Sequence, residues 1–121
     1  MDMKTSTRMA GDVAVVDISG RISLGEESAA LRELIMNLLS EGHQKILLNL
    51  SGVNYIDSSG LGALVSSFTS VRKAGGEMKL VNLTDKVDNL MEVTKLYTVF
   101  DIATDETAGV NSFKRGTAAG A

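Results

Sequence analysis

Short apolar blocks separated by glycine and polar turns divide this chain into alternating and helical stretches. From Met3 to Met9 the alternation is weak, with Met3, Thr5, Thr7 and Met9 on one side and Lys4, Ser6 and Arg8 on the other, as in an edge strand. Gly11-Asp12 reads as a tight turn, and Val13 to Ile18 is β-branched and mostly apolar, so the first two segments predict a hairpin ending at Gly20. Ser23 and Glu26 have the spacing of a capping box and precede Leu31, Leu34, Ile35, Leu38 and Leu39 at helical intervals. They predict a helix over 25–41, stopped at Gly42. Ile46 to Leu50 is short and apolar on both faces, which suits an inner strand.

Downstream, Leu61, Leu64, Val65, Phe68 and Val71 fall on one stripe of a second helix, closed by Gly75-Gly76. Glu77 to Val81 resumes strand character, and Thr84 or Asp85 caps a short helix carrying Val87, Leu90 and Met91. Val99 to Ile102 reads as a last short strand, with a weak final helix near 105–114. After Phe113 the periodicity ends, so residues 1–114 are expected to form one domain and 115–121 a flexible tail. The order of elements predicts an α/β fold: a mixed sheet with an antiparallel N-terminal hairpin, parallel strands after it, and helices packed on the sheet.

Composition narrows the function. A chain of 121 residues suits a single core, and 44% apolar with 22% charged residues is ordinary for a globular domain. The net charge of −3 offers no general attraction to a phosphate backbone, so no direct nucleic-acid partner is expected. The absence of cysteine excludes disulfides and thiolate chemistry and fits a reducing compartment. No signal peptide or membrane span is legible, and the expected location is the cytoplasm.

One polar stretch stands apart. Asp57-Ser58-Ser59-Gly60-Leu61-Gly62 follows an apolar strand and opens an amphipathic helix. There the first amide N–H groups lack intrahelical partners and the dipole is positive, so Ser58 sits where a phosphorylated hydroxyl is well tolerated. Serine is also a common helix cap, and that purely structural role stands beside the functional one. Two glycines within three residues are expected to keep one side of the turn free of bulk and leave Ser58 open to a partner.

Catalytic alternatives find little support. A nucleophile elbow needs a glycine two residues before the serine, where Ile56 stands. The only histidine, His43, is separated from Ser58 by roughly six residues of strand, about 20 Å, and is expected at a helix end instead. Asp57, Glu26, Glu27, Asp85 and Asp88 form no metal-ligand pattern, and neither a Walker sequence nor a dinucleotide fingerprint is present. No catalytic residue, cofactor or metal is assigned, and the chain is not expected to be an enzyme.

Leu48-Asn49-Leu50, a short loop with Tyr55-Ile56, the hexapeptide 57–62 and Gly75-Gly76-Glu77-Met78 together resemble the STAS-domain anti-sigma factor antagonists of bacteria, most closely over residues 10–103. The resemblance implies phosphorylation on Ser58, with Asp57, Ser59, Gly60, Leu61 and Gly62 meeting a partner. It implies that the unphosphorylated protein binds an anti-sigma factor that is also a serine kinase, freeing a sigma factor. Phosphorylation would end this binding, and a metal-dependent serine phosphatase would restore it, so ATP and metal belong to the partners. Family members often carry acidic residues after the second strand. This chain has Gly20-Arg21-Ile22-Ser23 there, which makes Arg21 and Ser23 candidate contacts and an acidic patch the partner surface Arg21 would prefer. The same fold would also serve a scaffold subunit of a stress-signalling assembly or a cytoplasmic accessory of a lipid or anion transporter.

Overall fold

The computed structural model describes residues 2–23 and 25–120, with side chains to 113 only; where a flexible tail was expected over 115–121, the backbone to residue 120 continues the final helix and residue 121 lies outside the described residues. Five strands form one sheet in the order β1 (Met3–Ala10), β2 (Val13–Ile22), β3 (Lys45–Ile56), β4 (Glu77–Val81) and β5 (Asp101–Ala103). β1 and β2 are antiparallel, from Ala10 opposite Val13 to Met3 opposite Gly20, and the remaining neighbours are parallel. The mixed sheet and the edge position of β1 are those predicted from the pattern.

Three helices cross over between the parallel strands: α1 (Glu26–Ser40), α2 (Ser58–Lys73) and α3 (Asp85–Thr94). All three pack on one face, over Val16, Ile18, Ile46, Leu48, Leu50 and Leu80, and contribute Leu31, Ile35, Leu64, Val71, Val87 and Met91 to the main core. The final helix, α4 (Glu106–Gly120), covers the other face, where Val13, Val15, Leu47, Val81 and Phe113 form a smaller core. Gly109 lets α4 approach Leu47 closely, because a Cβ there would lie 3.1 Å from the leucine methyls. Lys79 of β4 is nearly buried beneath this helix, donating to Ser112 Oγ at 2.9 Å with its ammonium 4.9 Å from the Phe113 ring centroid.

Several local expectations change. The capping box does not form: Gly25, at φ +83°, is the residue before α1, and no side chain caps that end. The left-handed turn redirects the chain, so Ser23 Oγ instead donates to Glu27 at 2.7 Å and the Ser23 carbonyl accepts from Ser28 N–H at 3.2 Å. β3 runs on past Leu50 to Ile56, so the expected loop at Tyr55-Ile56 is strand, because Gly52, Val53, Tyr55 and Ile56 pair with the far half of β2. Gly52 makes this pairing feasible; a Cβ there would meet Ser19 Cβ at 2.6 Å. The last strand begins at Asp101, since the chain first makes a 3₁₀ turn, Leu96–Thr98, and tucks Phe100 edge-on against Phe68 with centroids 5.4 Å apart.

On the second face a run of polar side chains crosses the sheet. Asn82 donates to Asn49 (3.1 Å), Asn49 to Asp17 (2.7 Å), and Arg8 to both Asp17 and Glu106 (2.8 Å each), linking the end of β4 to the edge strand and to α4. The Arg8 guanidinium, first by hydrogen bonding, holds the carboxyl groups of Asp17 and Glu106 below their usual values, while partial desolvation opposes it. A carboxyl group whose folded pKa is lowered gives stability that is present above its unfolded pKa, about 4, and lost as pH falls through the lowered value. Arg8→Ala should therefore flatten the acid limb of stability below about pH 4, read as urea midpoint against pH; an unchanged limb would show that the network contributes nothing.

Candidate functional site

The corner at the carboxyl ends of β2 and β3 holds most of the residues singled out in the sequence. β3 ends at Ile56, and Asp57 turns the chain into α2 from an extended conformation, φ −106° and ψ −175°. Its Oδ1 accepts from Gly60 N–H at 2.9 Å and its carbonyl from Leu61 N–H at 2.9 Å, so the aspartate caps the helix. The cap of α2 is therefore Asp57 and not Ser58. With Asp57 capping, Ser58 occupies the first helical position, exposed, and its hydroxyl makes no hydrogen bond among the described residues. Around it lie the half-buried Ser59, the nearly buried Leu61 and the exposed Gly62.

The two glycines do different work, which corrects the expectation that both keep the turn open. A Cβ on Gly60 would stand 2.2 Å from the Ile22 carbonyl oxygen and 2.7 Å from Ile56 Cγ1, whereas one on Gly62 would meet nothing within 4 Å. Gly60 is thus a packing requirement that brings the end of β2 against the first turn of α2. Asp57 N–H reinforces the contact by donating to the same Ile22 carbonyl at 3.4 Å. As a result Arg21 and Ser23, on either side of Ile22, belong to the same corner as 57–62. Ser23 is half-buried, and its hydroxyl is committed to Glu27. Arg21 is exposed and lies over the ring of Tyr55, 4.3 Å from the centroid. Tyr55, named in the sequence only as part of the loop that carries the resemblance and not as a contact, shares this exposed corner.

The corner carries the means to hold negative charge. The first N–H groups of α2 have no intrahelical acceptors, and the helix dipole is positive there. His43 is not near Ser58: it precedes β3 and Ser58 follows it, so the twelve residues of that strand hold them about 40 Å apart, farther than the sequence indicated. His43 sits just beyond α1, its N–H bonded to the Leu38 carbonyl at 3.0 Å. Among the described residues no group of three or more acidic or histidine side chains is placed to hold a metal ion, and no helix is long and apolar enough to cross a membrane.

Residues 4–108 match the family model of the STAS domain. The anti-sigma-B factor antagonist of Bacillus subtilis is 36% identical over 95 residues, covering 78% of this chain and 85% of that protein. Among solved structures, TM1081 of Thermotoga maritima superposes with a TM-score of 0.81 at 25% identity, over 90% of this chain and 87% of that one. The Bacillus anti-sigma factor antagonist SpoIIAA, in its unphosphorylated form, superposes with a TM-score of 0.69 at 16% identity, over 93% and 99%, a likeness of fold.

The unequal glycines give a test of the corner. Gly60→Ala should cost about 2–3 kcal/mol, because a backbone carbonyl has to move to admit the methyl group. Gly62→Ala should leave stability unchanged or raise it by up to about 1 kcal/mol, the gain in helix propensity. Urea denaturation of both variants measures the difference, and equal effects would contradict the packing described.

Proposed function

Since this chain belongs to the STAS-domain family, with an anti-sigma factor antagonist among its relatives at 36% identity, we propose that it is itself such an antagonist, switched by phosphorylation of Ser58. The observation that carries this proposal is the division of labour at the start of α2: Asp57 caps the helix and leaves the Ser58 hydroxyl exposed and uncommitted. SpoIIAA, whose fold the chain shares, exists in phosphorylated and unphosphorylated forms, which supports a modification cycle. In the unphosphorylated state the surface of Asp57, Ser59, Leu61 and Gly62, with Gly60 seating the turn, meets an anti-sigma factor serine kinase and a sigma factor is released. The kinase supplies ATP, and a metal-dependent serine phosphatase reverses the reaction, so this chain needs neither cofactor nor catalytic residue and acts in the cytoplasm.

Phosphorylation acts on the complex more than on the fold. A phosphate adds a charge of about −1.5 to −2, and at a helix start it gains roughly 0.3–1 kcal/mol from the dipole. In a packed interface the same charge has to be desolvated beside Asp57, and a loss of about 3 kcal/mol lowers affinity about a hundredfold.

Incubation with the serine kinase encoded nearest this chain's gene, magnesium and ATP should place one phosphate on Ser58, mapped by mass spectrometry, and none on Ser58→Ala. Ser58→Ala should bind the kinase as the unmodified chain does, and Ser58→Asp should bind far more weakly while melting at a similar temperature. Equal binding by the two variants would refute the switch.

A further inference from the structure

β2 is not straight where it reaches the corner. Its register with β3 shifts between Asp17 and Ser19 and again between Gly20 and Arg21. Gly20 has φ +94°, and a Cβ on it would lie 1.8 Å from the Asp2 carbonyl oxygen, so only glycine fits. Bulges of this kind re-aim the side chain that follows. Here that side chain is Arg21, set opposite Tyr55 and stacked on its ring. Whereas Arg8 is held by two carboxylates, Arg21 has no ion pair among the described residues.

Beyond its stacked face, Tyr55 forms one wall of a shallow groove of about 410 Å³, together with Ile56, Lys86, Asn89, Leu90 and Val93. Lys86, Leu90 and Val93 are spaced four and three residues apart on α3, along one side of the helix, while Val87 and Met91 are buried in the core. Val93 is 80% exposed, an unusual state for a large aliphatic side chain in a helix. The groove is therefore apolar along its floor, with Lys86 in its lining and Arg21 on its Tyr55 wall, and none of its lining residues is a carboxylate. Its Tyr55-Ile56 wall leads directly into Asp57-Ser58, so the groove adjoins the turn along the chain.

We infer that this groove is a second part of the partner interface and selects the kinase by charge: it takes a segment that seats an apolar side chain on Tyr55, Leu90 and Val93 and presents carboxylates to Arg21 and Lys86. The inference rests on the reading of Ser58 as the residue that faces a kinase. A chain of net charge −3 that places about one apolar groove two cations with no ion pair among the described residues is complementary to an acidic segment and rejects a basic one.

The test titrates the purified chain, and the variants Arg21→Glu, Lys86→Glu and Val93→Asp, with the serine kinase encoded nearest its gene, at low and at high salt. Phosphorylation of Ser58 is followed in parallel. All three positions are exposed, so melting temperatures should hold. Each charge reversal should weaken binding at least tenfold, with the gap narrowing at high salt, and Val93→Asp should weaken it at both salts. A kinase that binds and phosphorylates Ser58 equally in all variants would overturn the groove and leave the Ser58 switch standing. A kinase that neither binds nor phosphorylates the unmodified chain would overturn both. If Val93→Asp instead dissociates a dimer of the chain while kinase binding is unchanged, the groove belongs to a second copy and the inference fails.

Discussion

The Ile22 carbonyl oxygen lies 2.2 Å from where a Cβ on Gly60 would stand, and this contact joins the end of β2 to the first turn of α2. Without it the two segments would be neighbours by topology only, since adjacent parallel strands leave their following loops free to diverge. With it, the Arg21-Ile22-Ser23 segment and the hexapeptide 57–62 share one surface. The bulges in β2 answer the same constraint from the other side. They shift the strand so that Ile22 stands opposite Ile56, at the end of the longest strand of the sheet. The corner is thus assembled by backbone packing.

Within that corner Asp57 relieves Ser58 of a structural duty. In most Asp-Ser pairs at a helix start either residue can cap, and a serine that caps has its oxygen occupied. Here the extended conformation of Asp57 points its carboxylate at Gly60 N–H, and the serine falls one residue later, inside the helix. The hydroxyl is exposed because the residue before it has taken the amide. A modification at this atom therefore leaves the cap intact, which is the structural condition for a switch that changes binding and leaves folding alone.

How far the sequence anticipated this depends on which force dominates locally. Helix stripes and apolar strands follow from periodicity, so the order of elements, the hairpin and the single mixed sheet were legible from Met3 to Val81. The readings that failed are those where tertiary contact overrides local pattern. Tyr55-Ile56 read as a loop because Gly52 and polar residues interrupt the apolar run after Leu50, yet pairing with β2 makes the segment strand. Ser23 and Glu26 have the spacing of a capping box, but a left-handed Gly25 between them, invisible to a spacing rule, sends Ser23 to Glu27. The motif 57–62 marked the start of α2, and the unlike environments of its two glycines were beyond any reading of composition.

Charge placement connects the two tasks we propose for the corner. A helix N-terminus, Arg21 and Lys86 place positive charge beside the Asp57 carboxylate within a chain of net negative charge. For the unphosphorylated protein such a surface favours an acidic partner segment, as we infer for the groove. A phosphate on Ser58 would bring about two negative charges to the edge of the same surface, where the free protein can accommodate them through the helix dipole and the nearby cations. An acidic partner would meet those charges at close range and lose the cations' attraction at once. One electrostatic arrangement would then serve both to dock the partner and to make its release complete, because the phosphate competes for the field that the partner needs.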